Sequence, residues 1–310
     1  MKYLVKVFGF SLIFIFSFSL TAQDNNKFAW PAEGSSVIGN IQSTTVEEGE
    51  TLLDIAERYG LGYNEIVAAN RDLDPWIPEV GAKVTLPTQF ILPTAPMEGI
   101  VVNLAEYRLY YFMPEKNLIY TYPIGIGQGN TPTPIGRMEI NARMANPTWY
   151  PPASIRQRWQ DQGKEVRRQI PAGPDNPLGP YAINLSKAGY LIHGTNQRFG
   201  IGTRASAGCI RMNNQDIQAL VEMTYIGVPV NIIEQPIKTG WSGKNILIEA
   251  HRPVSVTDNA VAHKDMVTML VELRARHKLP PIDWTLVDKA FNRKDGIPFA
   301  VNQNLAHYDD

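Results

Sequence analysis

The 310-residue chain has one cysteine, Cys209, so it can form no internal disulfide and that residue stays a thiol. Charge of either sign in excess is also missing. A formal net charge of −1 creates no field that would gather polyanions, which argues against nucleic acid as a partner. Long apolar runs are confined to the start, where Lys2 and Lys6 precede Val7 to Leu20 and small residues follow at Thr21 and Ala22. That layout reads as a secretory signal over residues 1–22, cleaved or kept as an anchor, because a comfortable membrane span takes about 20 apolar residues. The body of the protein is then expected in the periplasm. With no cysteine near the N-terminus there is no site for lipid attachment. Clustered Cys and His ligands for zinc are lacking too. Ser206 lies in no G-x-S-x-G elbow, and Gly125, Gly127 and Gly129 alternate without a following helix that could hold a phosphate, so no nucleotide and no cofactor are expected.

What is present supports an ordinary globular protein of about two domains, at ~150 residues each. Hydrophobic residues make up 44% and charged residues 19%, enough for a real core. The 23 prolines and 24 glycines are scattered along the chain, which favours short strands and turns over a helical bundle. The first legible module runs strand, helix, helix, strand. Thr44 to Val46 reads as a strand, and Gly49 turns the chain into a helix capped by Thr51 and answered by Asp54. Leu52, Ile55, Ala56 and Tyr59 share that helix's inner face, Gly60 ends it, a second helix carries Ile66, Val67 and Ala69 to Asn70, and Val84 to Leu86 closes the unit.

The pattern V-x-x-G-E-T-L-x-x-I-A-x-x-Y-G, the Ala69-Asn70 pair and W-I-P-x-x-G-x-x-V-x-L-P from Trp76 to Pro87 resemble a LysM domain over residues 43–88. The resemblance implies binding to the N-acetylglucosamine-containing glycan of peptidoglycan, through loops around Gly49–Thr51 and Ala69–Pro75, with Gly49, Thr51 and Asn70 as contacts. A connector from Gln89 to Met97, bearing Pro93 and Pro96, is expected to separate this module from the next.

From Gly99 onward short β-rich runs alternate with turns, among them Ile100–Val102, Leu109–Phe112, Leu118–Tyr122, Tyr181–Leu185, Tyr190–Ile192 and Val228–Ile233, which argues for a sandwich-like sheet structure. Helical periodicity is local, in Ile155–Gln162 and Asn213–Met223. Within this region Cys209 follows a glycine and precedes a basic residue in S-A-G-C-I-R, with His193 upstream in L-I-H-G-T-N. A free thiol at its ordinary pKa near 8.5 is only a few per cent thiolate at neutral pH. A catalytic cysteine therefore needs a histidine, a helix terminus or a cation beside it. His193 suits the role of base or imidazolium partner. Arg211 is either a cation for the thiol or a grip for a carboxylate, and the Gly208 and Cys209 N–H groups could meet a developing oxyanion. These parts suffice for acyl transfer.

The run H-G-T-N-x-x-F-G-x-G-x-x-x-S-x-G-C-I-R from His193 to Arg211 resembles the active site of the L,D-transpeptidases, the YkuD-domain family. Y-P-I-G-I-G-Q at Tyr122–Gln128, T-P-x-G at Thr133–Gly136, A-N-P-T-W at Ala145–Trp149 and P-A-G-P-D-N-P-L-G at Pro171–Gly179 extend it. The resemblance implies Cys209 as nucleophile, His193 as base held by the Gly194 carbonyl, Gly208 and Cys209 as oxyanion donors, and Arg211, Asn196, Thr195 and Ser206 as candidates for holding the donor. Partners would be peptidoglycan stem peptides and glycan. The acceptor would be a lysine of a Braun-type lipoprotein or other outer-membrane protein, or the diaminopimelate amine of a second stem. A wall-binding protein with an idle catalytic domain is the reading from another class. Many family members carry a second histidine two residues before the cysteine; here that position is Ala207.

The expected fold is α+β and predominantly β: a β-sandwich-like catalytic domain over residues 98–235, the small βααβ module, and a partly helical C-terminal extension over residues 236–310. In the extension Ala260–Lys278 reads as a helix with Val267, Leu270 and Val271 inward, followed by a short helix carrying Val287 and Phe291. Its role is open between a packing module, a lid and a partner surface. His251, His263, His277 and His307 fall there, outside every matched motif.

Overall fold

A computed structural model describes residues 25–256 and 258–302. The expected signal over 1–22 and His307 lie outside these residues. The fold is mixed α+β and strand-dominated, as expected. No helix among the described residues is long and apolar enough to cross a membrane.

The catalytic region is built on a nine-stranded sheet in the order Lys27–Ala29, Leu118–Pro123, Arg108–Met113, Gly99–Asn103, Pro229–Ile233, Gly136–Ala145, Tyr181–Leu185, Leu191–His193 and Ile210–Arg211. Gly136–Ala145 curls it. Its first half pairs with Pro229–Ile233 and its second with Tyr181–Leu185, with an irregularity between Ile140 and Ala142 where the strand bends. The curl encloses a core of Ile100, Val102, Leu109, Ile140, Ile183, Ile192, Ile210 and Val230, covered by the helix Asn214–Met223 through Ile217 and Leu220.

The first module forms as read. Gln42–Thr45 pairs antiparallel with Lys83–Leu86 around the helices Leu52–Arg58 and Tyr63–Ala69. Thr51 and Asp54 make a reciprocal cap, the Asp54 N–H donating to Thr51 Oγ1 at 3.2 Å and the Thr51 N–H to Asp54 Oδ2 at 3.0 Å. The hydrogen bonds from Thr51, with Arg198 nearby, hold the Asp54 carboxyl down at about 2.

The connector does not keep the modules apart. Gln89–Ile91 pairs with Val37–Gly39, and one continuous core joins Leu52, Ile55, Ile66 and Val84 to Val101, Tyr110, Phe112 and Ile119 of the large sheet. Buried Arg108 grips Glu65 with both Nε and a terminal nitrogen, at 2.6 and 2.9 Å, and lies over the Phe90 ring. At a second contact, Arg198 reaches Asp54 at 2.6 Å and Glu57 at 2.8 Å.

The extension contains structure that its sequence did not disclose. Ile237–Ser242 and Asn245–Ala250 form a hairpin joined by Phe299–Ala300, on which the helices Asn259–His277 and Trp284–Arg293 pack. Met266 and Leu270, four apart, face this sheet together with Val287 and Phe291. Val271 does not: one residue past Leu270 it turns about 100° around the helix and is exposed. Lys238 of the hairpin is fully buried, its Nζ 2.8 Å from Glu106 and 2.8 Å from Glu249, and it donates to the Ile91 carbonyl at 2.6 Å. Glu249 also accepts from the Ile91 N–H at 2.7 Å and meets His251 at 2.7 Å. Three segments distant in sequence are thus tied at one ionic knot.

Candidate active site

Cys209 and His193 are brought together by sheet register. Leu191–His193 and Ile210–Arg211 pair in parallel, Ile192 opposite Ile210 and His193 opposite Arg211. Side chains alternate along strands. Ile192 and Ile210 therefore enter the core, while Leu191, His193, Cys209 and Arg211 share the other face. Ile210–Arg211 is the last strand of the sheet, so Cys209 stands at an edge that substrate can approach.

The turn before the cysteine is fixed by its own hydrogen bonds. Ser206 Oγ donates to the Cys209 carbonyl and accepts from the Gly208 N–H at 3.2 Å. Gly208 has φ +109°, and a Cβ on it would stand 3.0 Å from the Tyr190 ring, so only glycine fits. This arrangement commits Ser206 and the Gly208 N–H to the turn itself, which takes both away from the substrate and oxyanion roles expected of them. Thr195 is similarly engaged: its hydroxyl donates to Gln197 O and accepts from Gln197 N, and its N–H donates to Asn214 Oδ1. Asn196 is exposed and donates to the Asp175 carbonyl at 3.2 Å. In the first module Thr51 is occupied by its cap and Gly49 forms an open turn at φ +78°. Buried Asn70 spends its amide on Ile66 O, Thr85 O and the Thr85 N–H. Its side chain therefore braces the fold and offers no N–H to a glycan.

His193 Nδ1 lies 2.6 Å from the Gly194 carbonyl. A carbonyl only accepts, so Nδ1 carries the hydrogen and Nε2 is left with its lone pair. Burial, reinforced by Arg211 and opposed by the Gly194 contact, lowers His193 to about 4, so the ring is neutral at neutral pH. Burial pushes the Cys209 thiol up, against the Leu191 N–H and Arg211, which favour the thiolate. The resting pair is therefore a neutral thiol and a neutral imidazole, and no preformed thiolate is needed. The Leu191 N–H is a contributor that side-chain motifs could not reveal.

Arg211 has no acidic partner among the described residues, and its buried Nε lacks any hydrogen bond. It is a cation with capacity to spare beside the thiol. Because Arg211 favours both the thiolate and the neutral imidazole, Arg211→Gln should raise both pKa values. The pH profile for alkylation of Cys209 by neutral iodoacetamide is expected to move to higher pH; an unmoved profile would separate Arg211 from the thiol electrostatically.

Elsewhere, a cavity of about 400 Å³ is lined by Arg71, Glu106, Arg204 and His251 among others, and includes neither His193 nor Cys209. Ligand atoms of Glu106, Glu249 and His251 lie within 4.8 Å of one another there. The cation between the two carboxylates is the Lys238 ammonium.

Comparison with known proteins places these motifs. Residues 98–232 match the model of the L,D-transpeptidase catalytic domain, and residues 44–87 match that of the LysM domain. The chain is 45% identical over 285 residues to "Probable L,D-transpeptidase YcfS" of Escherichia coli K12, covering 90% of this chain and 89% of that one. It is 37% identical over 278 residues to "Probable L,D-transpeptidase YbiS" of the same strain, covering 88% and 90%. "Probable L,D-transpeptidase ErfK/SrfK" of that strain is 37% identical over 301 residues, with 95% of each chain covered.

Proposed function

The chain belongs to the YkuD-type L,D-transpeptidase family, and from that premise we propose that it is a periplasmic enzyme that transfers peptidoglycan stem peptides through a Cys209 thioester. The observation that carries the reading is the pairing of Cys209 and His193 on one face of adjacent parallel strands, with His193 Nδ1 bound to Gly194 O. The Cys209 thiol gives its proton to His193 Nε2 as sulfur bonds to the diaminopimelate carbonyl carbon of a tetrapeptide stem. The Cys209 N–H faces the oxyanion and Arg211 takes a donor carboxylate. His193 then passes the proton to the amine of the departing D-alanine as the peptide bond breaks. An acceptor amine attacks the thioester, its proton passes through His193, and the thiol is restored.

Residues 1–22 serve as the export signal, residues 43–88 bind the wall glycan, residues 98–235 carry the chemistry, and residues 236–310 brace the ensemble. The acceptor is a lysine of a lipoprotein or other outer-membrane protein. Mass spectrometry of muropeptides from a deletion strain tests this assignment: loss of lysine-linked stems supports it, whereas loss of 3→3 dimers identifies a second stem as acceptor.

His193→Ala should lower the transfer rate by roughly 10², the lower end for removal of a general acid–base group. Since His193 must be neutral to accept the proton and is held at about 4, the acid limb of wild-type kcat/KM is expected well below the ordinary histidine range. Wild-type activity that fails near pH 6.5 would contradict the neutral-imidazole account.

A further inference from the structure

Most large aromatic side chains of this protein are packed inside it, but two are not. Trp76 of the LysM module is 50% exposed and Phe199 of the catalytic region 60% exposed, and their rings stand 6.0 Å apart. Tyr63 stacks on the far side of Trp76 at 5.7 Å with an interplanar angle of 28°. Trp76 and Phe199 therefore make one open aromatic strip that begins on one module and ends on the other.

The strip is held rigidly. Arg198, next to Phe199, bonds Asp54 and Glu57 of the LysM helix. The Tyr63 and Asn64 N–H groups donate to the Ile201 and Gly202 carbonyls at 3.4 and 3.3 Å. Gly202, at φ +75°, leaves no room for a Cβ, which would lie 2.3 Å from the Tyr63 nitrogen. On the other ring, Asp74 Oδ1 accepts from the Trp76 and Ile77 N–H groups and fixes that loop. The strip also leads to the chemistry: Phe199 lies in the turn Arg198–Gly200 between His193 and Cys209, and a Cβ at Gly200 would stand 3.1 Å from an Arg211 guanidinium nitrogen.

We propose that Trp76 and Phe199 together form a pyranose subsite shared by the two modules, which stacks one N-acetylated sugar of the donor glycan and so directs its stem peptide toward Arg211 and Cys209. This rests on the proposed function above and identifies where its glycan lies. A sugar fits because each ring presents an apolar face matched to pyranose C–H groups, while Asp54, Glu57 and Arg198 alongside supply partners for hydroxyls. An uninterrupted apolar partner would leave those charges stranded at its rim.

Binding of chitotetraose, a glycan without peptide, to the full chain by titration calorimetry tests the subsite. Trp76→Ala and Phe199→Ala are each expected to weaken it about tenfold, the scale of one aromatic contact, and Phe199→Tyr should restore it. Turnover supplies a second readout: the ratio of kcat/KM for a disaccharide-tetrapeptide to that for the free tetrapeptide should fall about tenfold in Phe199→Ala. Wild-type affinity in Phe199→Ala, or an equal fall on both substrates, overturns the shared subsite. So does sedimentation velocity showing that these rings hold two copies together. Formation of the thioester from free tetrapeptide by the wild-type protein is read separately, so failure of the subsite leaves the transpeptidase reading intact, and the reverse.

Discussion

Replacing Cys209 with alanine is expected to abolish acyl-enzyme formation, with no adduct in the intact-protein mass spectrum after incubation with a tetrapeptide stem or a carbapenem. The reason is chemical: no other cysteine exists in the chain to accept the acyl group. The turn should survive the change, because Ser206 Oγ bonds the Cys209 carbonyl and the Gly208 N–H, both of them backbone groups that alanine retains. The hydrogen bond lost with the thiol is the weak contact to the Gly189 carbonyl at 3.7 Å. Near-wild-type thermal unfolding is therefore expected with complete loss of the adduct. An adduct of unchanged yield in Cys209→Ala would place the nucleophile elsewhere and end the thioester mechanism.

The second large effect is on stability. Lys238→Ala should cost about 3–5 kcal/mol, the penalty for removing one partner of a buried ion pair and leaving the other uncompensated. Here it strands the buried carboxylates of Glu106 and Glu249 and frees the Ile91 carbonyl of a donor. Burial alone would disfavour ionised Glu249, but Lys238 and His251 more than offset it and hold the carboxyl below its usual range. A depressed carboxylate pKa contributes stability above the ordinary glutamate range and loses it as pH falls through the folded value. The midpoint of thermal unfolding near neutral pH is expected to drop by about 10 °C. Adding Glu106→Gln and Glu249→Gln should recover part of the loss by removing the stranded charges. An unchanged midpoint in Lys238→Ala would show that the knot holds nothing together.

The same knot explains why deletion of residues 44–87 cannot test the LysM module cleanly. That deletion would uncover Val101, Tyr110, Phe112 and Ile119 and orphan Arg108, so loss of activity would report misfolding. Point changes at Trp76 and Phe199 avoid this. The prolines of the connector suggested two independent bodies, yet a connector's composition says nothing about the faces on either side of it. Apolar residues at Val101 and Phe112 read equally well as facing a sheet partner or a neighbouring module.

Some of this protein was decided by local rules and was readable from the chain. The Thr51–Asp54 cap follows from a four-residue signal, and the helical periods of Leu52–Tyr59 and Asn214–Met223 follow from alternation of apolar residues. Cys209 and His193 stood out because a lone thiol in S-A-G-C and a histidine in H-G-T-N are rare and specific. Other features depend on groups that meet only after folding. The neutral state of the thiol–imidazole pair comes from burial, the Leu191 N–H and Arg211, none of which a motif encodes. Ser206, Thr195 and Asn70 are polar residues in motif positions, and sequence could not show that backbone groups nearby consume their hydrogen bonds. The Lys238 knot and the Trp76–Phe199 strip join residues far apart in the chain, and only tertiary packing determines which distant side chains share a space from which water has been removed.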